Sequence, residues 1–267
     1  MNAEYITGTL LRRAEISPRM LRLTFRVPGC QPVRRPDDWL MLFFGEPGDH
    51  TDRRNYTVRA VRPELEELDI DFALHDGGLA ATWAREAEPG AQLVWAAADG
   101  SYEPPADVQW QLIVGDLPAL PAIGRMVEEL PAGTRAIVVA EIDDEADKQE
   151  WASAADVDVR WITGPRQSCL NDVVRTFPEP DAPGYIWMAG ETRIVRDARR
   201  YLRHERGVDK SRWALTGYWL ARSEEWLERY KPHAAELNDL WERGEAEGRD
   251  EEEIMDAYEA ALERAGL

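Results

Sequence analysis

The segment Arg53-Arg54-Asn55-Tyr56-Thr57-Val58-Arg59 sets a guanidinium, an aromatic ring and a hydroxyl on alternate or adjacent positions. On a strand Arg54 and Tyr56 share one side, and Thr57 offers its backbone or hydroxyl to a ring edge. This set suits a ligand with both a phosphate and a flat ring. A second segment, Leu74-His75-Asp76-Gly77-Gly78-Leu79-Ala80-Ala81-Thr82-Trp83, runs from a strand end through two glycines into a helical stretch. Glycines ahead of a helix N-terminus leave backbone N–H groups open to a pyrophosphate. Farther on, Gly115-Asp116 and Gly190-Glu191 each close an apolar run, and strand ends of this kind bind dinucleotides in parallel sheets. Glu191 is also placed to cap the following helix. Other chemistries find no support. His50, His75, His204 and His233 show neither H-x-H nor H-x-x-x-H spacing, and Cys30 and Cys169 fit no C-x-x-C pattern, so no metal site is expected. Neither a nucleophile triad nor a carboxylate dyad is visible.

The elements that must hold these residues change character once along the chain. In 21–27, Leu21, Leu23, Phe25 and Val27 alternate with polar residues, and 68–74 repeats the pattern with Leu68, Ile70, Phe72 and Leu74. With the runs at 39–44, 56–61 and 92–95, the first hundred residues predict a small antiparallel barrel. After Pro104-Pro105 apolar runs at 112–115, 136–140, 157–161 and 185–189 alternate with helical segments. That grammar predicts a parallel sheet with crossover helices. Ile194, Ala198, Tyr201 and Leu202 fall on one helical face of 191–206. In the tail, Trp226, Tyr230, Leu237 and Trp241 recur at helical spacing, with a break expected at Pro232 and an interruption at Gly244 and Gly248. A last apolar stripe follows at Ile254, Ala257, Tyr258, Ala261 and Leu262.

Charge is distributed unevenly over the 267 residues, whose formal net charge is −19. Residues 223–267 hold 15 acidic and 5 basic side chains, whereas residues 1–62 hold 11 arginines, no lysine and 7 acids. No basic stripe covers the chain, which argues against nucleic-acid binding, while the positive N-terminal part suits one small anionic ligand. Neither an export signal nor an apolar run of membrane-spanning length is visible, and the two distant cysteines fit a reducing compartment, so the expected location is cytoplasmic.

Taken in order, these segments resemble the siderophore-interacting protein family, flavin-containing ferric-siderophore reductases of the ferredoxin-reductase-like superfamily. The resemblance spans roughly residues 5 to 220. The R-x-Y-T-x-R signature appears as Arg54, Tyr56, Thr57 and Arg59, and 75–84 is similar to the family's His-Gly, Gly-Pro-Ala-Ser and Trp-Ala block, with Asp76, Leu79 and Ala81 as departures. Gly100-Ser101 matches a turn that closes the barrel. Gly115-Asp116-Leu117-Pro118-Ala119-Leu120-Pro121-Ala122 resembles Gly-Asp-Glu-Thr-Ala-Leu-Pro-Ala, and Ala189-Gly190-Glu191 and Gly217-Tyr218-Trp219 follow, with Leu220 and Ala221 departing after the last.

The resemblance implies a Greek-key FAD-binding barrel over 1–104, an α/β nucleotide-binding domain over 105–222 and an acidic helical extension over 223–267. It implies FAD contacts from Arg54, Tyr56, Thr57, Val58, Arg59, Leu74, His75, Gly77, Gly78, Ala80, Ala81, Thr82 and Trp83, with Arg54 on the pyrophosphate, Tyr56 against the isoalloxazine and Thr57 near N5. NADH or NADPH would meet Gly115, Asp116, Leu120, Pro121, Gly190 and Glu191. It would pass a hydride to the flavin, from which single electrons reach ferric iron in a bound siderophore. An anionic ferric siderophore needs cations, for which Arg34, Arg35, Arg222 and Lys231 are candidates. The expected state is a monomer without membrane or nucleic-acid partners. Two alternatives stay open: a flavin reductase of this fold with another acceptor, and a binding protein that has lost the cofactor.

Overall fold

A computed structural model of the chain describes residues 5–46, 52–75, 77–97, 99–164 and 167–267; His50, Asp76, Ala98 and Arg166 lie outside them. Two compact units result, Met1–Tyr218 and Trp219–Leu267.

The first unit begins with six antiparallel strands closed into a barrel in the order β1-β2-β5-β4-β3-β6. These are β1 (Ile6–Ser17), β2 (Met20–Arg26), β3 (Trp39–Phe43), β4 (Arg53–Arg62), β5 (Glu67–Ala73) and β6 (Gln92–Ala97), with helix α1 (Leu79–Glu86) between the last two. Leu23, Phe25, Leu42, Val58, Ile70 and Phe72 fill the interior, as the alternation of β2 and β5 requires. Strand β1 escaped the sequence reading for a visible reason. Its pairing with β2 shifts register between Leu10 and Arg12 and again between Glu15 and Ser17. Each shift resets which face the next side chain occupies, so no alternation of period two survives.

The barrel leads into a five-stranded sheet of order β11-β10-β7-β8-β9. Strands β7 (Trp110–Asp116), β8 (Arg135–Ile142), β9 (Asp156–Thr163) and β10 (Gly184–Glu191) run parallel, and β11 (Trp213–Trp219) lies on the edge beside β10. Helices α2 (Leu120–Glu129), α3 (Leu170–Thr176) and α4 (Thr192–Arg200) supply the crossovers, and a π-helical turn, Tyr201–Glu205, extends α4. Every residue of β7 is buried, which explains its unbroken apolar run. Ile113, Val138 and Trp187 belong to one core, Leu112, Val114, Ile137 and Met188 to the other.

Barrel and sheet meet along β4 and α2. The Arg59 guanidinium donates to both carboxylate oxygens of Glu128 at 2.7 and 2.8 Å, and Arg125 donates to the Val58 carbonyl at 3.0 Å. A second tie joins the β1–β2 turn to the loop after β8, where fully buried Asp147 accepts from Ser17 Oγ at 2.7 Å and the Arg19 amide at 3.1 Å.

The second unit contains α5 (Ser223–Tyr230), α6 (Ala234–Ala246) and α7 (Glu251–Arg264) around Leu237, Ala261, Leu262 and Leu267. The break expected at Pro232 is present, because α5 ends at Tyr230 and a single 3-10 turn separates it from α6. Gly248, at φ 68°, ends the following turn, but Gly244 does not interrupt its helix. It is buried within α6, and a Cβ there would lie 2.6 Å from Ile254 Cγ1, so its role is to let α7 approach. Among the described residues no helix is long and apolar enough to cross a membrane.

Candidate functional site

On β4, Arg54 is exposed and donates to the Arg53 carbonyl at 2.7 Å, Tyr56 is half-buried and Thr57 is buried. The Tyr56 ring stands 4.4 Å from Phe72 at 34°, and burial pushes its phenol pKa up while Arg54 pulls it down. A neutral, ring-backed phenol beside an exposed guanidinium offers the stacking surface and the anion contact that the motif implies. Val58 is fully buried in the barrel, and Arg59 is spent on Glu128, with Asp71 3.8 Å from its Nε. Val58 continues the side of Arg54 and Tyr56 into the barrel core, and Arg59, on the opposite side, ties the strand to α2.

The strand β5 leads through Leu74 and His75 to α1. Gly77 and Gly78 have φ of 74° and 84°, values that side-chain-bearing residues rarely adopt. A Cβ on Gly78 would also fall 2.5 Å from His75 Cε1, so the imidazole closes over the glycine. Gly78 is the N-cap of α1, and no side-chain cap is present there among the described residues. The first-turn N–H groups of an eight-residue helix are therefore directed at the surface, in a backbone shape held by two glycines. Together with Arg54 and Tyr56 this fits a flavin dinucleotide. Ala80 and Ala81 are buried and Thr82 is exposed. Trp83 packs inward, 5.8 Å from Phe44 and 6.3 Å from Phe72. Arg85, which the sequence did not single out, donates to the His75 carbonyl at 2.9 Å and braces the loop.

Behind Thr57 stands a cluster that sequence spacing could not assemble. Thr57 Oγ1 lies 3.5 Å from the Tyr218 hydroxyl. The Tyr218 ring meets Trp187 edge-on at 6.2 Å, and Trp187 Nε1 donates to Asp37 at 3.1 Å. Burial pushes the Tyr218 phenol up, with Asp37 reinforcing it, so the hydroxyl stays protonated at neutral pH. Asp37 also accepts from the Ser101 amide at 2.9 Å, its hydroxyl at 3.0 Å and the Tyr102 amide at 2.9 Å. A Cβ on Gly100 would overlap Asp37 Oδ1 at 2.0 Å, which accounts for the Gly100-Ser101 pair. The sequence signal for Asp37 was two adjacent acids, Asp37 and Asp38, inside an arginine-rich region.

At the carboxyl edge of the sheet, Gly115 and Ala189 are register partners, so Gly115-Asp116 and Gly190-Glu191 lie side by side. A Cβ on Gly115 would meet Ala119 Cβ at 2.6 Å, and one on Gly190 would stand 3.0 Å from Asp116 Oδ2. Glu191 accepts from the amides of Arg193 and Ile194 at 2.7 and 3.2 Å and caps α4. Leu120 and Pro121 are buried in α2 and contribute packing. Beside this edge, Glu141, next to last in β8, is the register partner of Asp116. Its pKa is raised by burial, against hydrogen bonds from the Cys169 amide and Ser168 hydroxyl.

The four candidate cations are divided between the two units. Arg35 donates to the Gly100 carbonyl at 3.1 Å and to Glu103 at 2.6 Å, and the Arg34 amide donates to Asp38 at 2.7 Å. Arg222 and Lys231 belong to the second unit, where they pair with Glu225 at 3.7 Å and Glu228 at 2.5 Å. No group of three His, Cys, Asp or Glu among the described residues could hold a metal ion.

Known proteins resemble the chain over most of its length. Residues 46–102 match a family profile described as siderophore-interacting FAD-binding domain, and residues 108–222 match one described as siderophore-interacting protein. The chain is 33% identical over 204 residues to an uncharacterized protein of Mycobacterium tuberculosis, covering 68% of this chain and 70% of that one. It is 32% identical over 175 residues to the ferric vibriobactin reductase ViuB of Vibrio cholerae, covering 62% of this chain but only 64% of that one. It is 29% identical over 206 residues to the NADPH-dependent ferric-chelate reductase of Escherichia coli, covering 70% and 80%. Among solved structures, the siderophore-interacting protein SipS from Aeromonas hydrophila superposes with a TM-score of 0.71 at 29% identity, covering 89% of this chain and 99% of that one.

Proposed function

Because the chain belongs to the siderophore-interacting protein family, we propose that it reduces ferric siderophores with electrons taken from NADH or NADPH by way of FAD. The observation that carries this reading is the meeting of Thr57, on the flavin strand, with Tyr218, from the edge of the nicotinamide sheet, at 3.5 Å. Flavin bound on β4 supplies the conversion of a two-electron hydride into single electrons. The chain's own residues bind and orient. Arg54 and the N-terminus of α1 hold phosphate, Tyr56 presents a ring face, and Thr57 with Tyr218 sets the boundary between the two half-sites. Gly115 and Gly190 allow close approach at the sheet edge. Iron is the substrate, and its release follows because hard oxygen donors hold Fe(III) more strongly than Fe(II).

We assign the flavin part to 1–104, the nicotinamide part to 105–222 and a helical extension to 223–267, in a cytoplasmic monomer. The engagement of Arg35 with Gly100 and Glu103 favours a second reading, an acceptor that does not need that cation. The deciding experiment is an oxygen-free titration of the FAD-loaded chain. NADH or NADPH should bleach the flavin bands, and a ferric siderophore should restore them while an Fe(II) chelator develops colour. Bleaching without reoxidation would assign another acceptor. A chain that takes up no FAD would end the reductase reading.

A further inference from the structure

The carboxyl edge of the sheet contains a group that its binding role leaves unused. Glu141 stands next to last in β8, the strand after the Gly115 turn, and is the register partner of Asp116. In doubly wound sheets an acid at this place, some twenty residues beyond the glycine turn, bonds the 2′-hydroxyl of the adenosine ribose, whereas a 2′-phosphate calls for arginine. Glu141 lies 26 residues beyond Gly115 at the equivalent strand end, and its carboxylate is aimed. Oε2 accepts from the Cys169 amide at 2.8 Å and from Ser168 Oγ at 3.2 Å, both at the start of α3. The residue is half-buried, so its charge is not fully screened by water.

Its surroundings increase the negative field. Asp143, Asp144 and Glu145 follow in the same loop. Two described cations at this loop are paired, Arg19 with Asp143 at 2.5 Å and Lys148 with Glu145, and Arg166, two residues before Ser168, lies outside the described residues. Arg193 lies in the first turn of α4 after β10, and β7 stands between β10 and β8.

We infer that Glu141 makes this chain select NADH over NADPH, accepting the ribose 2′-hydroxyl and repelling a 2′-phosphate. The inference rests on the reductase reading above and deepens it. It also separates this chain from its Escherichia coli relative, whose name specifies NADPH.

The test is calorimetric titration of the FAD-loaded protein with NAD+ and with NADP+, which reads binding without turnover. Wild type should bind NAD+ roughly 100-fold more tightly than NADP+, the scale of one like-charge contact plus one lost hydrogen bond. Glu141→Gln keeps an acceptor for Cys169 and Ser168 and removes the charge, so the fold is preserved and NADP+ affinity should rise about tenfold or more. Glu141→Ser removes both charge and reach, so NAD+ should weaken while NADP+ strengthens, bringing the ratio near one. Equal affinities in wild type, or a loss of both nucleotides in parallel in the Gln variant, would overturn the assignment of Glu141 alone. Failure of both nucleotides to bind a protein that holds FAD would remove the nicotinamide reading, and this inference with it.

Discussion

Arg54 is the residue with most at stake on the flavin strand, because it is exposed beside Tyr56 and carries the only guanidinium on that side of the motif. Losing a charged hydrogen bond costs about 1.5–3 kcal/mol, so Arg54→Ala should weaken FAD binding roughly 10- to 100-fold with little change in the unfolding temperature. Unchanged FAD affinity by fluorescence titration would take Arg54 out of the site. Gly78 tests the phosphate contact proposed for the N-terminus of α1. Its backbone, at φ 84° and ψ 136°, belongs to a region almost reserved for glycine. In Gly78→Ala the His75 ring can swing away, but the backbone strain of about 1–3 kcal/mol remains and is relieved only by moving the α1 N-terminus. Weaker FAD binding with an intact barrel by circular dichroism is the expected result; wild-type affinity would show that the cradle is not used. Both residues were legible in the sequence because each acts within a span of a few positions. Asp37, Trp187 and Tyr218 were not, since the Asp37–Trp187 hydrogen bond joins positions 150 apart.

At the scale of elements, the barrel's outer face carries a lattice of ion pairs joining β1, β2, β4 and β5. Glu67 on β5 accepts from Arg12 on β1 at 2.6 and 2.7 Å and from Arg62 on β4 at 3.0 Å. Asp69 accepts from Arg62 and from Thr24, and Asp71 from Arg22. Arg12, and then Arg62, hold the Glu67 carboxyl down to about 2. A carboxyl lowered on folding stabilises the native state fully above its ordinary value near 4.5, and that contribution disappears as pH falls through about 2. Tryptophan fluorescence should therefore report barrel stability declining between these values, and Glu67→Gln should flatten that part of the curve. An unchanged profile would place the acid sensitivity elsewhere. The same lattice shows why strands were easier to read than their partners. The alternation of β2 and β5 sits in the sequence, but the bulges of β1 are set by pairing and by nothing local. Likewise Gly244 looks like a helix breaker until Ile254 is seen against it.

For the whole molecule the opposing scales are the net charge of −19 and the local excess of arginine in residues 1–62. An anionic ferric chelate approaching from afar feels the sum, and near contact it feels only the charges within one screening length. At about 0.01 M salt that length is about 30 Å, so the acidic total, more than half of it in 223–267, should slow encounter. At about 0.15 M it shrinks to about 8 Å, charges beyond that distance from the chelate drop out, and the arginines within it are left to attract. Near 1 M, at about 3 Å, that attraction is screened as well. The expected profile of kcat/KM against ionic strength for an anionic chelate therefore rises and then falls. A neutral chelate should give a nearly flat one in the same protein. A monotonic fall for the anion from the lowest salt upward would mean that local cations govern encounter at every distance and that the net charge does not.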